Sequence, residues 1–227
     1  MWGKIYKNHL CYNRLEKEVI LLKILVLGAT GRVGRRIVSH ALTDGHVVTV
    51  LVRTPDKVQV NDKNLQIIQG NVLNKNHMET VMLGVDLVIS ALSTDGTNTL
   101  SESMKLILEA MHKENVKRII TVGTAGILQS RVTPSLLRYQ SSESKRKSTH
   151  AAQEHHKVFE MLTDSQTEWT IVCPTYLPDG ECTSNYRVER SFLPEGGVVI
   201  TVGDTAEFAY QQINSTKFLK SRVGIAY

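Results

Sequence analysis

Lys23-Ile24-Leu25-Val26-Leu27-Gly28-Ala29-Thr30-Gly31-Arg32-Val33-Gly34 decides how this chain folds. A short, mostly apolar run with β-branched residues breaks into a glycine-rich turn, and beyond it Ile37, Val38, Ala41 and Leu42 recur at helical spacing. Strand, glycine turn and helix in that order are the setting a dinucleotide fingerprint requires. The glycines have separate tasks: Gly28 permits the tight turn, Gly31 lets the backbone approach a pyrophosphate, and Gly34 lets the helix pack close to the strand. The helix start then offers free N–H groups and a positive dipole end to the phosphates. The alternative is a glycine turn of purely structural use.

The chain has 227 residues, 41% of them hydrophobic, which suits one α/β domain or one domain with a small appendage. No apolar run approaches the roughly 18 residues of a membrane span. The net charge is +5, yet no basic helix with interleaved aromatics is present, so neither a nucleic acid nor a membrane is the expected partner. A small-molecule substrate is, with the protein a monomer or homodimer. Cys11, Cys173 and Cys182 fit neither a disulfide framework nor a metal site, which points to a reducing, cytoplasmic setting and no metal. Residues 1–22 read as an N-terminal extension without a secretory signal, and 23–227 as the dinucleotide-binding domain, with 175–227 shaping a substrate pocket.

Further along, His46–Val52 reads as a second strand, nearly all apolar, as in a parallel sheet covered on both faces. Arg53 follows at once. An acidic residue at this point takes the 2′-hydroxyl of NAD, whereas an arginine suits the 2′-phosphate of NADP. Arg53, with Thr54 and Lys57 nearby and Arg32 helping from the glycine turn, therefore favours NADP(H), with NAD(H) as the alternative. Strands are expected over 65–70, 86–92, 118–125 and 169–174, with helices near 75–83, 100–111 and 150–162 between them. This alternation implies a Rossmann-type, doubly wound parallel sheet whose ligands bind beyond the carboxyl ends of the strands. Gly28, Arg53, Asn71, Val72, Ala91, Leu92, Ser93 and Thr124 then share one rim, and so does the loop Thr175–Gly180 after Pro174. The serine-rich, basic stretch 129–150 reads either as a solvated loop or as a lid. In the helix after it, His155 lies mid-stripe with Ala151, Val158, Phe159 and Leu162, as a core histidine would. Asp204 and Glu207 have the spacing of a capping box that opens a last helix, with Asp204 as N-cap.

With these residues in place the chain resembles the atypical short-chain dehydrogenase/reductases with NmrA-like NAD(P)-binding domains, and within them the NADPH-dependent flavin reductases. The likeness rests on Gly28-Ala29-Thr30-Gly31-Arg32-Val33-Gly34, Val48–Arg53, Gly70-Asn71-Val72-Leu73, Lys117–Ile120 and, more loosely, Trp169–Pro174. It implies cofactor contacts at Gly28, Thr30, Gly31, Val33, Arg53, Asn71, Val72 and Leu92. It places Thr124 near the nicotinamide, and Thr175 and Tyr176 in the loop that closes over that ring. Pro174 and Gly34 belong to the same shell.

Two departures shape the chemistry. Many relatives use a Tyr-x-x-x-Lys pair on the helix at 150–162; by register those positions here are Ala152 and His156. The histidine that the flavin reductases carry at the tyrosine position is absent too, and their other pocket histidine corresponds to Thr175. Reduction of a carbonyl with a tyrosine acid is therefore unsupported. A conjugated acceptor such as a flavin or quinone needs less help, because its proton can come from water. Thr124 and Tyr176 are the candidate catalytic residues: Thr124 to orient the nicotinamide or substrate, Tyr176 as a phenol donor. A redox-inactive NADP(H)-binding regulator resembling NmrA is the second reading, and a nucleotide-sugar epimerase relative the third.

Overall fold

The computed structural model describes residues 20–227; the first nineteen residues, where most of the expected N-terminal extension falls, lie outside them. The elements are β1 (Lys23–Leu27), α1 (Arg32–Thr43), β2 (Val47–Val52), β3 (Leu65–Gln69), α2 (Lys75–Met82), β4 (Leu87–Ser90), α3 (Thr99–Lys113), β5 (Arg118–Val122), α4 (His150–Asp164), β6 (Glu168–Pro174), β7 (Arg187–Arg190), α5 (Val202–Gln211) and β8 (Ser221–Ala226). The strands form one sheet in the order β3-β2-β1-β4-β5-β6-β8-β7. All neighbours pair parallel except β7, which runs antiparallel along β8. The order reverses at β1: β2 lies on one side of it and β4 on the other. That reversal is the switch point where such sheets bind ligands.

Burial follows from the sequence pattern. β1, β4, β5 and β8 are buried along nearly their whole length, and apolar residues at 24–27 and 87–89, with Ile119, Ile120, Val223 and Ile225, fill them on both faces. One face is covered by α1 and α5, through Ile37, Val38, Ala41, Ala206 and Ala209. The other is covered by α2, α3 and α4, through Met78, Met104, Ile107, Met111, Val158 and Leu162. The two edges are polar. β3 presents Gln66 and Gln69, and β7 reads Arg-Val-Glu-Arg, which discourages pairing with a second sheet. No helix among the described residues is long and apolar enough to cross a membrane.

The last fifty residues belong to this same architecture. β8 inserts beside β6, with Val172 opposite Val223, and α5 packs on α1. The start of α5 differs from the sequence reading. Thr201, not Asp204, is the N-cap, and its hydroxyl accepts from the Asp204 N–H at 3.2 Å. Asp204 lies one turn inside the helix and is fully buried. It was misplaced because its partners are distant in sequence. Its carboxylate accepts from the N–H groups of Thr183 (2.7 Å) and Ser184 (2.8 Å), and from the hydroxyls of Thr183, Thr201 and Tyr227. A second buried carboxylate, Glu154 on α4, accepts from Ser101 N–H and hydroxyl at the start of α3 and pairs with Lys157. It ties α3 to α4. Ala151, expected on the buried stripe, is exposed. His155 is buried, and burial pulls its pKa down to about 4, so it is a neutral core residue.

Burial alone would raise the pKa of Asp204, but the hydrogen bonds from Tyr227, Thr183 and Ser184 outweigh it and hold the group at about 2. Since that lies below the unfolded value of about 3.9, the stabilisation is complete above about pH 4 and is lost as pH falls toward 2. Asp204→Ala is expected to lower unfolding free energy by about 3 kcal/mol in urea at pH 7, and to flatten the loss of stability between pH 4 and 2. A change below about 0.5 kcal/mol would contradict this anchoring role.

Candidate dinucleotide-binding site

The site begins where β1 ends. Gly28 has a φ of +81°, and a Cβ there would stand 2.5 Å from the carbonyl oxygen of Ala91 at the exit of β4. A Cβ on Gly34 would stand 2.2 Å from the Gly28 carbonyl oxygen. Only glycines let β1, β4 and α1 converge this closely. The consequence is a 12-residue helix aimed by its N-terminus into the crevice, with Gly31 as N-cap, no side-chain cap and no acidic residue in its first turn. Free N–H groups and an uncompensated positive dipole end fit a pyrophosphate.

A cleft of about 240 Å³ opens at this point. It brings together Gly28, Thr30, Gly31, Arg53, Asn71, Val72, Ala91, Leu92 and Ser93 from the exits of four strands. Arg53 is exposed and has no carboxylate partner among the described residues. Asn71 shapes the wall: its side chain accepts from Leu73 N–H at 3.0 Å while its own N–H donates to His77 Nδ1 at 3.1 Å. Leu73, Asp95 and Thr99 also line the cleft. Sequence reading missed them, and for Asp95 the missing signal is local: its carboxylate accepts from Thr97 and Thr99, closing the turn after β4, and these bonds hold its pKa below the usual carboxylate range.

Arg32 turns away from Arg53. Its guanidinium donates to Leu177 O at 3.0 Å and pairs with Asp179 at 3.1 Å. One turn on, Arg36 makes a two-pronged pair with Glu181, both contacts 2.9 Å. Both arginines therefore fasten the loop after β6 across the start of α1, on the side of β1 opposite β2.

Thr124, Pro174, Thr175 and Tyr176 lie outside the cleft, at the exits of β5 and β6. Val33 and Gly34 lie behind it, in the first turn of α1. The Thr124 hydroxyl accepts from Gly126 N–H at 3.4 Å, and that of Thr175 donates to Val198 O at 3.4 Å. Tyr176 is 63% exposed beside exposed Val198. In the turn after β5, a Cβ on Gly126 would lie 3.2 Å from Ala152 Cβ on α4 and 3.5 Å from Tyr139 Cβ. The phenol against this face thus comes from the turn at 138–140. Its hydroxyl lies 3.0 Å from His156 Nδ1, and His156 Nε2 lies 3.6 Å from Glu160. Cys182 and Glu207 gather near Asp204, but the Asp204 oxygens are occupied by five hydrogen bonds within the fold.

Comparison with known proteins agrees with this geometry. Residues 28–216 match the family model described as NAD(P)H-binding. Pinoresinol reductase 2 of Arabidopsis thaliana is 33% identical over 109 residues, which is 43% of this chain and 34% of that protein. The photosystem II assembly factor Ycf39 of a Synechocystis strain is 28% identical over 106 residues, 44% of this chain and 32% of that one. The chain thus spans about a third of the length of these curated relatives. Among solved structures, a Streptococcus pneumoniae protein described as a candidate NADH-flavin reductase superposes with a TM-score of 0.78 at 25% identity, over 90% of this chain and 99% of that one.

The convergence at the glycine turn is testable. Gly34→Ala is expected to cost about 2–4 kcal/mol, because backbone must move, and to abolish NADPH binding. Gly96→Ala, at a φ of +83° with open space around it, is expected to cost only about 1 kcal/mol. Equal small losses in urea unfolding would contradict the close approach.

Proposed function

The chain belongs to the NAD(P)H-binding family, and from that premise we propose that it is an NADPH-dependent reductase of a flavin, quinone or other conjugated acceptor. The observation that carries the reading is a cleft at the exits of β1, β2, β3 and β4 lined by an unpaired Arg53, with Thr124, Pro174 and Tyr176 outside it at the exits of β5 and β6. Reductases among the relatives support the same chemistry.

The parts fit the cofactor in a definite sense. The start of α1 would hold the pyrophosphate, Arg53 the 2′-phosphate, and Asn71 with Val72 the adenine. When bound, the reduced nicotinamide supplies a hydride. Thr124 orients the ring or its acceptor, and exposed Tyr176 offers an aromatic surface on which an acceptor ring stacks. With Ala152 where a catalytic phenol stands in related enzymes, the acceptor's proton comes from water; Tyr176 is the side chain placed to help deliver it. The acceptor gains one hydride and one proton, and NADPH leaves as NADP⁺. The second reading, a redox-inactive NADP(H)-binding regulator, draws support from the same Ala152.

Kinetics separate the two. NADPH oxidation followed at 340 nm with FMN, riboflavin, a quinone and biliverdin is expected to reveal turnover; tight binding without turnover by any of them contradicts the reductase and favours the regulator. Arg53→Glu is expected to weaken NADPH binding by more than about tenfold while sparing NADH. Arg32→Ala is expected to leave the NADPH/NADH preference unchanged. Equal losses for both cofactors in Arg53→Glu would remove the NADP assignment.

A further inference from the structure

Between Gln129 and His150 the chain carries Arg131, Arg138, Lys145, Arg146 and Lys147 against a single acid, Glu143. That surplus of four sits in 22 residues of a chain whose net charge is +5. Two of the five cations have structural work. Arg131 pairs with Glu189 at 2.5 Å, and Arg138 lies 4.0 Å from Glu143. Lys145, Arg146 and Lys147 are exposed, and none has an ion-pair or hydrogen-bond partner among the described residues. Three adjacent like charges repel one another, and the fold makes no use of them.

Their place on the molecule is set at both ends. Upstream, the turn at 138–140 packs through Tyr139 on Gly126, at the exit of β5, and Arg138 N–H donates to Leu128 O at 2.8 Å. Downstream, His150 at the head of α4 lies 3.2 Å from Thr97 O in the turn after β4. The basic run is therefore strung along the ligand rim beside the exits of β4 and β5. Arg53 stands at the exit of β2, with β1 and β4 between it and β5. At about 4.8 Å per strand that is about 14 Å from the exit of β5 and about 10 Å from the exit of β4, at or beyond the screening length of about 10 Å at ordinary ionic strength. A 2′-phosphate at Arg53 is thus largely screened from the run, and a pyrophosphate would have the free N–H groups at the start of α1.

We infer that the acceptor is anionic: a conjugated ring bearing a phosphate or carboxylate, drawn to and held at the rim by Lys145, Arg146 and Lys147. This rests on the reductase reading and adds a substrate class to it. The charges act on a part of the acceptor remote from the hydride-accepting atom, so they change KM and association rate rather than kcat.

FMN and riboflavin share one ring and differ by a phosphate, which makes them the test pair. At low salt the wild type is expected to give FMN a KM at least about tenfold below that of riboflavin, with similar kcat. The triple variant Lys145→Ser, Arg146→Ser, Lys147→Ser is expected to bring the two values together, leaving riboflavin turnover and the Kd for NADPH unchanged. Raising the salt should have the same effect on the wild type. Equal KM values in the wild type overturn the inference and leave the reductase standing, as does a preference that survives the triple substitution. A loss of NADPH affinity matching the loss for FMN also overturns it, since the charges would then serve the cofactor. Absence of turnover with every acceptor overturns the reductase reading instead; flavin fluorescence titrated against the NADP⁺ complex then still reads whether FMN is preferred, and equal or absent binding of the two flavins overturns the anionic site.

Discussion

The contact on which the rest depends is the backbone approach at Gly28. There the exits of β1 and β4 and the first turn of α1 converge so tightly that a Cβ on Gly28 or Gly34 would stand within 2.5 Å of a carbonyl oxygen. This packing aims the uncapped start of α1 into the crevice. It also sets the sheet's reversal at β1, with β2 and β3 to one side and β4, β5 and β6 to the other. In the proposed reading, an adenosine phosphate and a reacting ring would fall on opposite sides of this turn. A helix placed a residue further along, or kept from the strand by a methyl group, would lose the converging N–H groups that a pyrophosphate needs.

Around that turn, charge is distributed by task. Arg53 stands free at the cleft, whereas Arg32 and Arg36 hold the loop after β6 against α1 through Leu177 O, Asp179 and Glu181. Asp204 holds the next segment of that loop from beneath. Exposed ion pairs contribute little individually, typically below about 1 kcal/mol, so the buried carboxylate is the stronger anchor. The loop that carries Tyr176 is thus fixed by contacts to α1 and α5, the two helices that cover one face of the sheet. The loop itself lies outside the helices and strands, so its position rests on these contacts.

Much of this was legible from residues with short-range logic. The glycine turn, the apolar run of β2 ending at Arg53, and the stripe Leu100, Met104, Ile107 and Met111 on α3 each carry their meaning within about ten residues. What escaped depends on partners far along the chain. Arg32 and Asp179 are 147 residues apart, so nothing near Arg32 indicates that it turns from the 2′-phosphate side. Asp204 has the local look of an N-cap, but Thr201, three positions before the expected box, takes that role once Tyr227 and Thr183 engage the carboxylate. Glu154 looks like a surface residue until Ser101 and Lys157 satisfy it in the interior. Tyr139 meets His156 only because the serine-rich stretch folds back onto α4.

The glycine turn and Arg53 are proposed together as an NADP(H) site. Calorimetric titration of the unmodified chain with NADPH and with NADH tests it most directly. The account predicts a single site for each, with NADPH bound at least about tenfold more tightly because one phosphate is met by one guanidinium. Equal affinities would contradict the assignment of Arg53, and no binding of either nucleotide would contradict the reading of the glycine turn itself.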